Sequence, residues 1–331
     1  MNRIYKLLIS LITLTALGAC ASNTQDAPVD SESNNGGEAA DSTEAGKGKF
    51  SVVTTFYPVY EFTEQVAGDL ADIEMMISGG TDVHHYEPSA RDMAMINDAD
   101  MFVYSSDEME TWVKSMLDSI DNEDLVVVEQ AAEIDLLDSG EAIDDEEGHA
   151  HEEENDVHAV DPHVWLDPLL VQEQIERVKE AFIEIDPEHS KDYSRNTEAY
   201  QSELQALHET FESAFSGASK RRFVTQHEAF GYLAHRYDLI QMAVGGITTE
   251  VEVSPSRIAE INQLVLDYDI PVIYFQEGAN SSIAETVANE TGADVAELYS
   301  LAYLPETIEA KGQGYIEGMR RNLEALKLSI Q

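Results

Sequence analysis

Short apolar runs alternate with amphipathic stretches along the chain after residue 48. Runs such as 50–56 (FSVVTTF) and Met101–Tyr104 are rich in β-branched and aromatic residues, which favour strands. Between the runs, apolar residues recur at helical steps, as at Phe62, Val66 and Leu70. Strands that alternate with helices predict parallel sheets covered on both faces. Ligands bind at the carboxyl ends of the strands in such sheets.

The same pattern occurs on both sides of one long helical segment. Strands are predicted at 50–56, 73–77, 101–104 and 125–128 before it, and at 222–226, 239–244, 272–275 and 294–298 after it. The segment begins at Asp186-Pro187, a typical helix start, and has apolar residues at near-heptad spacing. A coiled-coil arm is one interpretation of this segment, and a rigid strut between two lobes is the other.

The predicted fold class is therefore α/β. Two (β/α) lobes, each with a parallel sheet, are expected at 49–185 and 217–331, and a long rigid helix at 186–216 is expected to join them. The two lobes repeat each other in outline, without a repeat at the level of residues.

The first 48 residues lack this pattern. Residues 1–19 combine Arg3 and Lys6 with a short apolar core, which is typical of a signal peptide. Cys20 is the only cysteine, so the chain forms neither an internal disulfide nor a cysteine-based zinc site. Its position resembles a bacterial lipobox, which predicts a lipidated Cys20; an ordinary signal peptide with an incidental cysteine is the alternative. Residues 20–48 are small and polar, which predicts a disordered tether.

The charge excludes several kinds of partner. The chain has 65 acidic and 19 basic residues and a formal net charge of −46. Such a chain has no basic face for nucleic acid, and its surface charge does not favour anionic lipid. The negative charge of the chain favours a cation as its ligand. A uniformly acidic surface, however, also keeps a secreted protein soluble.

Histidines and carboxylates are concentrated in an acidic loop at 141–160 and just after it. The loop contains three of the ten histidines: His149, His151 and His158. It has few apolar residues, which predicts mobility, whereas His163 lies close to Trp165 in a context that predicts fixed packing. Imidazole and carboxylate together favour zinc. A mobile collector of metal beside a fixed ligand is one interpretation, and a solvated loop plus a core histidine is the other.

Two further histidines and one glutamate follow predicted strands. His84 comes after the strand at 73–77, and His227 directly follows the strand at 222–226. Glu277 follows the strand at 272–275. Taken alone, His84 also fits a surface-turn histidine and His227 a buried core histidine. Glu277 also fits a carboxylate paired with a lysine or an arginine. Three histidines at comparable positions in two lobes favour a shared metal site.

Four motifs occur in order after the tether. They are Thr54-Thr55-Phe56-Tyr57-Pro58; Gly80-Thr81-Asp82-Val83-His84 with Tyr86-Glu87-Pro88; Asp161-Pro162-His163 with Trp165-Leu166-Asp167-Pro168; and Thr225-Gln226-His227 with Phe230-Gly231-Tyr232. With these motifs, the chain resembles the substrate-binding lipoproteins of bacterial zinc and manganese ABC importers, particularly the zinc-specific branch. The resemblance implies a metal site in the cleft between the lobes. It implies His84, His163 and His227 as the metal ligands.

The resemblance also implies a function and a location. The protein is expected to capture Zn²⁺ outside the cell and deliver it to the permease of an ABC importer. Zinc is then the transported ligand, and the 141–160 loop is the one typical of the zinc branch. The protein is expected to be a monomer anchored to the cell membrane through lipid on Cys20.

One position departs from the family pattern. Many members have a carboxylate as a fourth ligand after the last strand, and this position falls near Ala302, which cannot coordinate a metal. Glu277 or a water molecule is a possible substitute. Three imidazoles and a water also suit a zinc hydrolase, but the chain has neither a His-Glu-x-x-His helix nor a clear base, so an enzyme is not predicted. A surface adhesin is the other alternative.

Overall fold

The computed structural model describes residues 49–139, 160–248 and 253–331, all within one compact unit, Gly48–Gln331. The predicted signal peptide, Cys20, the tether and nearly all of the 141–160 loop lie outside the described residues. Across the described part of the chain, no helix combines the length and the apolar character that a membrane span requires.

The amino-terminal lobe is built on four parallel strands. These are β1 (Phe50–Thr54), β2 (Ala71–Met75), β3 (Met101–Tyr104) and β4 (Val126–Glu129). Their order in the sheet is β2-β1-β3-β4. The helices of this lobe are α1 (Tyr57–Ala67), α2 (Ala90–Asn97) and α3 (Val113–Leu117). All four residues of β3 are buried, as expected for a strand with helices on both faces of its sheet.

Two long helices follow. A short 3₁₀ helix, Val164–Leu166, leads into α4 (Pro168–Ile185), and a second, Pro187–His189, leads into α5 (Ser190–Phe215). The sequence pattern predicts α5 but not α4. The apolar face of α4 lies at helical spacing and is fully buried: Val171, Ile175, Val178 and Phe182.

The helix α5 is a packed element of the core. The closing helix of the chain is α10 (Tyr315–Leu326), and α5 contacts α1, α4 and α10. Tyr193 stacks on Phe182 of α4 with ring centroids 4.9 Å apart, and Tyr200 contacts Phe62 of α1. The near-heptad face of α5 is thus covered within this chain, which is incompatible with a free coiled-coil arm.

The carboxyl-terminal lobe contains the second sheet. Its four parallel strands are β5 (Arg222–Thr225), β6 (Ile240–Ala243), β7 (Val272–Gln276) and β8 (Asp294–Leu298). Their order is β6-β5-β7-β8, so the arrangement of the first sheet recurs. The helices of this lobe are α6 (Gly231–Arg236), α7 (Pro255–Asp267), α8 (Ser282–Thr291) and α9 (Glu306–Glu309). The predicted α/β fold of two parallel-sheet lobes is therefore present.

The segment before α4 connects the two lobes. The indole Nε1–H of Trp165 donates to the carbonyl of Ser300 over 2.8 Å, and the Tyr315 hydroxyl donates to the carbonyl of Trp165 over 2.6 Å. Arg236 on α6 forms an ion pair with buried Asp167, with Nε 2.7 Å from Oδ2. Hydrogen bonds, an ion pair and a continuous apolar core thus fix the lobes around a cleft.

Candidate metal centre

The structure brings the three predicted histidines together in this cleft. His84 lies in the loop after β2, His163 immediately precedes the 3₁₀ helix, and His227 follows β5. Their ring centroids are 5.1–5.7 Å apart, and one ligand atom from each lies within 4.8 Å of the others. Nitrogens bound to one tetrahedral zinc at ~2.0–2.1 Å lie about 3.4 Å apart, so small side-chain adjustments suffice for three-point binding.

The group contains histidine only. Within 49–139, 160–248 and 253–331, no other set of three or more His, Cys, Asp or Glu side chains meets the same distance condition. Neighbouring His85 is exposed and lies 3.4 Å from the Asp82 carboxylate. As expected for adjacent residues in a turn, one histidine of the pair faces the cleft and the other faces away.

His163 is held by Asp161. The Asp161 Oδ1 atom accepts from the backbone N–H of His163 at 2.9 Å and lies 2.8 Å from the ring Nδ1. With Nδ1–H as the donor, the lone pair of the ring lies on Nε2, where a metal can bind. Burial raises the pKa of Asp161 to about 7 and holds the pKa of His163 well below its usual range. A neutral imidazole, the form that binds metal, is therefore favoured.

Asp161 belongs to one of the sequence motifs, but its role was not predicted. Its carboxylate lies against the start of α6, where a Cβ at Gly231 would collide with Oδ2. Its carbonyl accepts from the Tyr232 hydroxyl at 2.8 Å. The Asp-Pro-His and Phe-Gly-Tyr motifs thus meet in space, and glycine is required there because the carboxylate fills the position of a side chain.

His227 lies between two hydrogen-bond acceptors. Its Nδ1 is 2.6 Å from Oε1 of Gln276, and its Nε2 is 2.6 Å from the carbonyl of Ile247. One of these two contacts has to give way before a ring nitrogen can bind a metal. The backbone is fixed independently, since the His227 carbonyl accepts from Thr225 Oγ1 at 2.7 Å.

Glu277 lines the same cavity but is engaged elsewhere. Its carboxylate accepts from the backbone N–H groups of Ser300 and Leu301 at 2.8 and 3.0 Å. Leu301 has a φ of 56°, and these hydrogen bonds hold it in that left-handed conformation. Ala302 also lines the cavity and offers no ligand atom. Glu277, considered above as a fourth ligand, therefore hydrogen-bonds to the loop after β8 and is not part of the histidine group.

Zinc affinity should fall by only about threefold between pH 7.5 and 6.5, where Asp161 begins to take up a proton, and more steeply at lower pH, where the imidazoles do. Burial lowers the pKa of all three histidines, and the neighbouring His163 lowers that of His84 further. A lowered pKa keeps imidazole neutral at lower pH, so protons begin to compete with zinc below the ~6.5 of a free side chain. Chelator-competition titrations across this range measure the effect. A tenfold loss between pH 7.5 and 6.5 would contradict it.

Two parallel-sheet lobes with three convergent imidazoles in their cleft form a candidate site for a metal ion. The chain belongs to the family of ZnuA, the periplasmic component A of the zinc-uptake complex, whose family model matches residues 52–328. The family is one of transport components, as the four motifs implied.

Three comparisons place the chain within this family. It is 42% identical over 281 residues to the zinc-binding lipoprotein AdcA of Streptococcus pneumoniae, covering 85% of this chain and 56% of AdcA. It is 39% identical over 282 residues to the high-affinity zinc uptake system protein ZnuA of Bacillus subtilis, covering 85% of this chain and 88% of that protein. The crystal structure of the Zn(II)-bound ZnuA-like domain of S. pneumoniae AdcA matches with a TM-score of 0.72 and 39% identity, covering 85% and 99% of the two chains. This chain thus spans about half of AdcA and nearly all of its ZnuA-like domain.

Proposed function

We propose that this protein captures Zn²⁺ outside the cytoplasm and delivers it to the permease of an ABC importer, with His84, His163 and His227 as the metal ligands. The observation that carries the proposal is the convergence of three imidazoles from both lobes on one point of the cleft. The similarity to a zinc-uptake protein and to a Zn(II)-bound domain supports it. Zinc is the transported cargo of this site.

The donor set favours zinc over manganese. Manganese prefers carboxylate and carbonyl oxygen, whereas zinc binds imidazole well. Asp161 and Glu277, the two buried carboxylates near the site, accept hydrogen bonds from protein groups. The formal charge of −46 adds a field that attracts cations of either kind. We therefore expect the imidazole ligands to select zinc over manganese, and the negative charge of the chain to attract the cation to the protein.

Calorimetry on metal-stripped protein should show one tight zinc site and manganese binding at least about tenfold weaker. A variant without residues 141–160 serves as the control, because the histidines of that loop are proposed to add weak zinc binding. Removal of the loop should leave the tight site. Equal affinities for zinc and manganese in the loop-deleted protein would contradict the zinc assignment.

We also propose that the protein is a monomer that lipid on Cys20 holds at the outer side of the cell membrane. The apolar segment before Cys20 and the polar tether after it support this location. A relative of this chain is named a lipoprotein. A Cys20→Ser protein should leave the membrane fraction, and an unchanged membrane-bound share would rule out the anchor. The surface adhesin stays the weaker alternative.

A further inference from the structure

The three histidines form one part of the wall of a cavity much larger than a cation needs. The cavity has a volume of about 410 Å³. At the ~30 Å³ that a water molecule occupies in the liquid, it has room for about fourteen waters. This volume lies within the range of pockets for small organic molecules, roughly 300–1,000 Å³. The loops after β5, β6, β7 and β8 build most of the remaining wall.

A zinc ion held by the three imidazoles, which line this cavity, would have coordination positions left for further donors. Zinc takes four ligands and expands to five, and three imidazoles supply only three. Within the described residues, the carboxylate of Glu277 is taken up by Ser300 and Leu301, and Ala302 has no donor. One or two further donors can therefore reach the metal from the cavity side.

The lining shows which chemistry fits. It combines apolar residues with uncharged hydrogen-bonding side chains of the second lobe, among them Gln226, Thr248, Gln276, Asn280, Ser282 and Tyr303. The Oε1 atom of Gln226 is buried and has no hydrogen-bond partner. The Tyr303 hydroxyl lies over Gly278, where a Cβ would collide with it.

The described lining contains neither lysine nor arginine, so a carboxylate that enters the cavity can be neutralised only by the metal. Polyanionic chelators are disfavoured as well, because the whole chain has a formal charge of −46. A ligand with one carboxylate and a neutral second donor satisfies both conditions.

We propose that zinc is carried in this site as a ternary complex with a small α-amino acid. Its amine nitrogen and one carboxylate oxygen chelate the metal from the cavity side, and its side chain lies among the polar groups of the second lobe. The three imidazoles and this chelate give a five-coordinate zinc. The inference rests on the proposed function and specifies the form in which zinc is taken up.

Equilibrium dialysis of radiolabelled L-histidine against the full chain tests the proposal. Protein loaded with one equivalent of zinc should retain about one histidine per zinc, and metal-stripped protein should retain none. Ala302→Glu places a carboxylate in the cavity and should reduce histidine retention at least about tenfold while zinc stays bound. Ala310→Glu adds the same charge at an exposed position after α9 and should retain histidine like the unmodified chain.

Each other outcome overturns the inference. Zinc binding without histidine retention rules out the ternary complex and leaves the proposed function intact. Retention without zinc, or equal retention by the Ala302→Glu protein, places the amino acid somewhere other than on the metal in this cavity. Failure to bind zinc at all refutes the proposed function and this inference together.

Discussion

Replacing His163 by alanine should weaken zinc binding by about a thousandfold. His163 is 1% exposed, its ring centroid lies 5.2 and 5.1 Å from those of His84 and His227, and no fourth His, Cys, Asp or Glu of the described residues joins this group. Protein zinc sites bind with roughly 10–16 kcal/mol in total, so the loss of one of three protein ligands costs on the order of 4 kcal/mol. That energy corresponds to about three powers of ten in the dissociation constant.

Competition with a fluorescent chelator at neutral pH measures this loss. His235→Ala is the matched control, since His235 is exposed at the end of α6 and outside the histidine group. Its affinity should equal that of the unmodified chain. Thermal unfolding of the metal-free proteins checks that both variants fold. A His163→Ala protein that keeps its zinc affinity would remove His163 from the ligand set.

Changing Asp161 to asparagine should weaken zinc binding by about 10- to 100-fold, although Asp161 does not face the metal. The carboxylate lies 2.8 Å from Nδ1 of His163, and with Nδ1–H as the donor this contact fixes the ring and makes Nε2 a stronger ligand for the metal. Asparagine has nearly the same shape and can still accept this hydrogen bond, but it lacks the charge. The loss of affinity therefore isolates the electrostatic part of the contact.

Two further variants separate this effect from a general loss of acidity. Gly231→Ala should reproduce most of the loss, because the added Cβ pushes the Asp161 carboxylate away from its position. Asp118→Asn removes the same charge at an exposed position after α3 and should have no effect. If the Asp161→Asn and Gly231→Ala proteins both bind zinc as tightly as the unmodified chain, His163 does not need the Asp161 carboxylate as a partner.

The clustering of the three histidines could be predicted because their positions follow local rules. His84 and His227 come after strands, and parallel strands present their carboxyl ends at one edge of a sheet. His163 was singled out by its aromatic and proline neighbours, which the structure shows to be buried. The α/β class followed in the same way from alternating apolar runs and helical periods.

The rest depended on contacts between distant parts of the chain. Asp161 contacts Gly231, seventy residues further along the chain. The two motifs that contain these residues do not show, from their sequences, that they touch. Glu277 looked available as a ligand because its partners lie in the loop after β8. Helix α5 resembled an isolated strut because α4, which covers it, had been missed. In each case, the local pattern was visible and the packing partner was not.

Anomalous diffraction at the zinc absorption edge, from crystals of the zinc-loaded protein, tests the central claim most directly. We predict one strong peak in the cleft, within about 2.0–2.1 Å of a ring nitrogen of each of His84, His163 and His227. A strong peak coordinated by other residues, with these three imidazoles free of metal, would contradict it.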